Sequence, residues 1–273
     1  MPIKTVLVHL SHDADHMTRL RCAIELARAN DAHITAVYVA TPAHMPAEIT
    51  GRGASLGYIA AATETAHEHA VEVEKEFREL CRAEGISIEW RTAEGDHTRI
   101  IAHHASFADI TIVSQHPHDF DHRLAMDFPD SVALHAGGPV LLLPPAYDGA
   151  PFGRKIVLAW KPTREATRAW RDALPFLKQA EEVYVLTFPE GRADLPGAEI
   201  AATLARHGVT AHVVIDESGH GVSGERILAD CAARSGDLLV MGGYGHSRVR
   251  ELIFGGVSHH CLNHAELPVL VSH

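Results

Sequence analysis

Two periodicities of apolar residues alternate along this chain. Continuous β-rich runs at Lys4 to Leu10, His33 to Val39, Ile86 to Arg91 and Ala108 to Val113 read as strands, as do Lys155 to Trp160, Val183 to Phe188, Thr210 to Ile215 and Gly236 to Met241. Their continuity marks strands covered on both faces, as in a parallel sheet. Between them the spacing becomes i, i+3, i+4, i+7, the signature of a helix with one buried face. Leu20, Ala23, Ile24 and Ala27 define a helix beginning near Asp13, and Ala66, Ala70, Val73, Phe77 and Leu80 a long one. Ala166, Ala169, Trp170, Ala173, Leu174 and Leu177 define a third, with Thr163 at its N-cap. Shorter helices are expected over Ala198 to His207 and over Gly224 to Arg234, the latter capped by Ser223. Strand and helix in alternation predict an α/β fold with right-handed crossovers, a doubly wound parallel sheet with helices on both faces.

The pattern occurs twice. Ala108-Asp109-Ile110-Thr111-Ile112-Val113 answers Gly236-Asp237-Leu238-Leu239-Val240-Met241, and His135-Ala136-Gly137-Gly138-Pro139-Val140-Leu141-Leu142 answers His264-Ala265-Glu266-Leu267-Pro268-Val269-Leu270-Val271. The Pro/Gly stretch Pro144 to Pro151 reads as a linker. We therefore expect two tandem domains, residues 1–147 and 154–273. The closing strands, Pro139 to Leu143 and Pro268 to Val271, are apolar edges whose exposure would invite aggregation, so they are expected to pair as an intramolecular pseudo-dimer. A homodimer of whole chains is a second arrangement compatible with the pattern.

Composition narrows the functional classes. With 46% apolar and 22% charged residues the chain has the balance of a globular protein. No apolar run approaches the length of a bilayer span, and the N-terminus has no leader pattern, so a cytoplasmic location without membrane contact is expected. A formal charge of -11 argues against extended binding to nucleic acid. Cys22, Cys81, Cys231 and Cys261 form no Cys-x-x-Cys pair and read as buried free thiols.

In a doubly wound sheet, ligands sit beyond the carboxyl ends of the strands where strand order reverses. The loop at that edge in the second half runs Gly242-Gly243-Tyr244-Gly245-His246-Ser247-Arg248 through Phe254-Gly255-Gly256-Val257-Ser258. Its glycines could let backbone N–H groups close on phosphate oxygens. It has neither the Gly-Lys-Ser/Thr ending of a Walker loop nor the Gly-x-Gly-x-x-Gly spacing of a dinucleotide fingerprint. Gly242, Gly245 and Gly255 do match Gly-x2-Gly-x9-Gly, which resembles the signature of the universal stress protein family, and the tail His264 to Val271 is similar to that family's last helix end and strand.

The resemblance implies a five-stranded parallel sheet in each half. It also implies a nucleotide site, for ATP or another adenine nucleotide with Mg, at Lys161, Gly242, Gly245, His246, Ser247, Gly255, Gly256 and Ser258. Two positions depart from the pattern. Gly256 stands where binding members carry Ser or Thr, with Ser258 two residues on. Lys161, and Ser11 in the first half, stand where an Asp contacts adenine. In the first half the corresponding loop is Ser114 to His122, where Pro117 removes a donor and Asp119 and Asp121 repel phosphate, so no nucleotide is expected there.

Twenty-two histidines raise a second chemistry. His116, His118, Asp119, Asp121 and His122 are candidate metal ligands by residue type, and His12, Asp13, Asp15 and His16 fall at the same sheet edge, although no diagnostic spacing is present. Gly221-Val222-Ser223-Gly224-Glu225 misses the Gly-x-Ser-x-Gly elbow, and no acid–base pair marks an enzyme. The expectation is a stress-response binding protein, a weak ATPase at most, with a nucleotide-free scaffold as runner-up and a metal-assisted hydrolase third.

Overall fold

The computed structural model describes residues 2–40, 52–115, 128–145, 147–188, 197–216, 221–243 and 256–273. The first half runs β1 (Thr5–Leu10), α1 (His16–Asn30), β2 (His33–Val39), α2 (Arg52–Ala83), β3 (Ile88–Ala93), α3 (His97–Ala105), β4 (Ile110–Ser114), α4 (Phe128–His135) and β5 (Val140–Leu143). The second runs β6 (Lys155–Trp160), α5 (Arg164–Asp172), α6 (Leu174–Leu177), β7 (Glu182–Thr187), α7 (Ala198–Arg206), β8 (His212–Ile215), α8 (Gly224–Ala233), β9 (Leu238–Gly242), α9 (Val257–His264) and β10 (Val269–Ser272).

The ten described strands join one sheet in the order β3-β2-β1-β4-β5-β10-β9-β6-β7-β8. Within each half the neighbours are parallel, and order reverses between β1 and β4 and again between β6 and β9. The two halves meet where β5 and β10 pair antiparallel, Val140 with Val271, Leu141 with Leu270 and Leu142 with Val269. Leu141 and Leu270 are copies in the repeat, so a pseudo-two-fold passes through that pair. The closing strands of the two halves thus cover one another, and the expected apolar edges are gone.

Side chains alternate across the sheet as period-2 geometry requires. Val6, Val8 and Leu10 enter the layer formed with α1 and α2, continuous with Ile156 and Leu158 under α5, α6 and α7. Leu7, Val157 and Leu239 enter the opposite layer, under α3, α4, α8 and α9. Burial on both faces explains why these strands read as unbroken apolar runs.

Small boundary shifts have local causes. The helix expected near Asp13 starts at His16, and β3 starts at Ile88 because Gly85, with φ +66°, and Ile86 close the end of α2, the Ile86 amide donating to Cys81 O at 3.0 Å. Thr163 and Ser223 do cap α5 and α8, accepting from the amides of Ala166 and Arg226. The aspartate in each Ala/Gly-Asp repeat holds the start of its half's first strand. Asp109 accepts from the amides of Lys4 (2.8 Å) and Thr5 (2.9 Å), and Asp237 from those of Gly153 (2.9 Å), Arg154 (3.1 Å) and Lys155 (3.0 Å).

Candidate functional site

Both crevices at the points of strand reversal are built from equivalent positions, and they are furnished differently. By strand register Val6 corresponds to Ile156 and Ile110 to Leu238, which makes His9 the copy of Ala159, Ser11 of Lys161 and Ser114 of Gly242. In the first half Arg19 of α1 lies across the crevice, buried to 2% exposure. Its Nε donates to His9 O at 2.7 Å, one terminal nitrogen to Ser114 Oγ at 2.9 Å, and the other to Ser11 Oγ at 3.2 Å and Asp13 Oδ2 at 2.6 Å. Burial alone would raise the Asp13 carboxyl, but the Arg19 charge and hydrogen bonds from Arg19, Ser11 and the Asp15 amide hold it below the usual range. On the other face the His9 ring lies 5.0 Å from Phe128 and 6.0 Å from His97, centroid to centroid. The first crevice is filled from both sides by the protein's own groups.

The second half has Ala159 and Lys161 where those bulky or anchoring groups stand. Lys161 is half-buried in the tight turn after β6, its carbonyl accepting from the Thr163 amide at 2.7 Å. Gly242, the last residue of β9, lies against the first turn of α5, where a Cβ would come within 2.4 Å of Ala166 N. Glycine is required there by close backbone approach. The next amide, that of Gly243, donates to Ser272 O at 2.9 Å and is spent inside the sheet edge. Gly256 is the N-cap of α9 and has no side chain to offer, whereas α3, α5 and α8 are capped by Asp96, Thr163 and Ser223. Ser258 sits in that first turn, buried. Gly245, His246, Ser247 and Gly255 lie outside the described residues, so the structure brings together Lys161, Gly242, Gly256 and Ser258 only as members of one sheet edge.

The loop containing His116, Pro117, His118, Asp119, Asp121 and His122 also lies outside the described residues. Its expected companions turn to other partners: His12 stacks on His69 at 3.8 Å, Asp13 binds Arg19, and His16 Nε2 lies 3.0 Å from Glu76. Among the described residues no three His, Cys, Asp or Glu groups are arranged to hold a metal. All four cysteines are buried and free; burial pushes the thiols of Cys22, Cys231 and Cys261 up to about 12 and that of Cys81 to about 11, so they stay protonated at neutral pH.

Two polar clusters escaped sequence reasoning. Asp216, after β8, forms an ion pair with Arg226 of α8, whose guanidinium stands 5.8 Å from the Phe188 ring. Asp130 of α4 meets His259 and Asn263 of α9 across the junction of the halves. Asp130 and its partners stand 129 and 133 residues apart and leave no local signal, although Asp130 and His259 do occupy the same place in the repeat.

Two copies of one α/β pattern, joined in a single sheet about a pseudo-two-fold, define a tandem two-domain α/β protein. The model of the universal stress protein family matches residues 2–144 and again 153–273, and the chain belongs to that family. A universal stress protein from Archaeoglobus fulgidus DSM 4304 is similar in fold, with a TM-score of 0.76, 18% identity, and coverage of 98% of this chain and 95% of that one. A putative universal stress protein from Pseudomonas aeruginosa UCBPP-PA14 gives 0.62 at 19% identity over 99% and 93%, and a functionally unknown protein from Pseudomonas aeruginosa PAO1 gives 0.60 at 19% over 99% and 92%. No curated protein matches the chain. No described helix is long and apolar enough to cross a membrane.

Proposed function

We propose that this universal stress protein binds one phosphate-bearing small ligand, an adenine nucleotide such as ATP with Mg, in its second half, and that its first half is a partner without a ligand of its own. The observation that carries this reading is the asymmetry of the two equivalent crevices. Arg19, Ser114, His9 and Phe128 fill the first, while the second has Ala159 and Gly242 at the copies of His9 and Ser114 and the side-chain-free cap Gly256 at the start of α9. Helix N-termini of this kind favour anions through unpaired amides and the helix dipole. Lys161 adds the positive charge that a phosphate would meet, and Gly245, Ser247 and Gly255 complete the motif in sequence.

A scaffold that has lost its ligand is the second reading, favoured by Gly242 and Gly243. The close approach to α5 accounts for Gly242 without any ligand, and the Gly243 amide is already bonded. Calorimetry separates the two. Binding predicts heat with ATP and Mg for the wild type and a loss of about tenfold or more for Ser258→Ala, on the scale of one charge-assisted hydrogen bond. A wild-type protein that gives no heat supports the scaffold.

A further inference from the structure

Asp130, His259 and Asn263 form a polar cluster at the junction of the halves, where Gln115 Nε2 also donates to Ala265 O at 3.2 Å and an Arg168 terminal nitrogen to Gly137 O at 2.5 Å. Asp130 is buried, its side chain 4% exposed. Its Oδ1 lies 3.2 Å from His259 Nδ1, and its Oδ2 accepts from Asn263 Nδ2 at 3.2 Å. The Asn263 amide also donates to His259 O at 2.9 Å, which ties the two residues of α9 together. The Asp130 carboxylate is thus met by groups from the other half.

The repeat shows why this matters. His135-Ala136 and His264-Ala265 are equivalent, so Asp130 and His259, each five residues earlier, are copies of one position, and Leu134 and Asn263 are copies of another. Near a two-fold axis a residue meets its own copy. Two first halves joined through β5 would bring Asp130 to Asp130, with Leu134 in the place of the Asn263 donor. Two carboxylates side by side, at a position 4% exposed in one half and 41% in the other, repel when no donor stands between them. Two second halves would bring imidazole to imidazole and leave neither with an acceptor carboxylate.

We propose that Asp130, with His259 and Asn263, is a specificity determinant of domain pairing that admits a first half joined to a second half and rejects two like halves. The β5–β10 contact itself is almost entirely apolar and nearly symmetric, with Leu141 facing Leu270, and carries little discrimination of its own. The cluster places a side-chain asymmetry at the axis itself, since unlike copies complement one another there and identical copies do not.

Hydrogen exchange on the whole chain tests this with three variants. His259→Asp places carboxylate against carboxylate, Asp130→His places imidazole against imidazole, and the double variant D130H/H259D restores an unlike pair in reverse. Amides of β5 and β10 should exchange on the order of tenfold faster in His259→Asp and detectably faster in Asp130→His, and should return part of the way to wild type in the double variant, where Leu134 stands opposite the carboxylate in place of the Asn263 donor. Amides of β1, β2, β6 and β7 serve as the internal reference and should move little. If the double variant shows the sum of the two single effects, or if His259→Asp exchanges as slowly as wild type, the position does not select partners and the proposal is overturned. Should His259→Asp fail to fold, the neutral Asp130→Asn, expected to loosen the same strands less than Asp130→His, carries the comparison with the double variant.

Discussion

At the scale of single residues the two halves differ most at Arg19 and Gly242. Arg19 is a buried guanidinium whose acceptors are a strand carbonyl, two hydroxyls and one carboxylate, all of the first crevice. Replacing it with Met would strand Asp13 and Ser114. Asp13 keeps a side-chain exposure of 40%, so the loss should fall below that of a fully buried pair, at about 2 kcal/mol by denaturant unfolding. The same bond is acid-sensitive. The Asp13 carboxyl titrates lower folded than unfolded, so its contribution is complete above the ordinary value of 3.8 and is lost as pH falls through the lower folded value. Gly242→Ala forces a methyl against the backbone of α5, which cannot retreat like a side chain, and should cost about 2 kcal/mol or more in the same assay. The glycine was legible in the sequence as part of a motif. Its packing role was not, because α5 comes from 76 to 78 residues earlier in the chain and only the fold brings its first turn there.

Among the elements, α9 links the proposed ligand site to the rest of the protein. Its first turn carries Gly256 and Ser258, its middle touches α4 through Asp130, and His260 lies against Gly224 of α8, where a Cβ would come within 2.6 Å. The His260 and His264 rings stack at 4.3 Å. Burial, followed by the neighbouring His264, holds His260 below its usual value, with Glu225 opposing and His259 adding to the shift. A histidine that resists protonation when folded loses stability on acidification: the unfolded chain takes up the proton first, near 6.5, so stability falls as pH drops from there to the folded value. Melting between pH 7 and 5 should therefore show a decline that is shallower in His260→Gln. Element boundaries and caps were largely readable, since Thr163 and Ser223 follow local rules. The exchange of partners by His12, Asp13 and His16 was not, because adjacency at a sheet edge says nothing about where each side chain turns.

For the whole molecule, the repeat makes the architecture legible in the sequence: two copies of one α/β pattern, ending in apolar strands that need cover. The structure joins them as a ten-stranded sheet with Leu141, Leu142, Val269 and Leu270 fully buried. Leu270→Ala at the pseudo-two-fold should cost about 2 to 5 kcal/mol and loosen the junction before either half, read as early proteolysis in the linker Pro144 to Pro151. What sequence could not convey was how the duplicated positions diverged in space. Ser114 and Arg19 took over a crevice whose copy kept Gly242, and Asp130 and His259 became partners.

That divergence is the basis for assigning one ligand site to two similar domains. Titration calorimetry of the intact chain with ATP and Mg, in parallel with Arg19→Met and Gly245→Val, tests it most directly. One site per chain is expected in the wild type, retained in Arg19→Met and lost in Gly245→Val. Two sites per chain, or an isotherm unchanged by Gly245→Val, would contradict it.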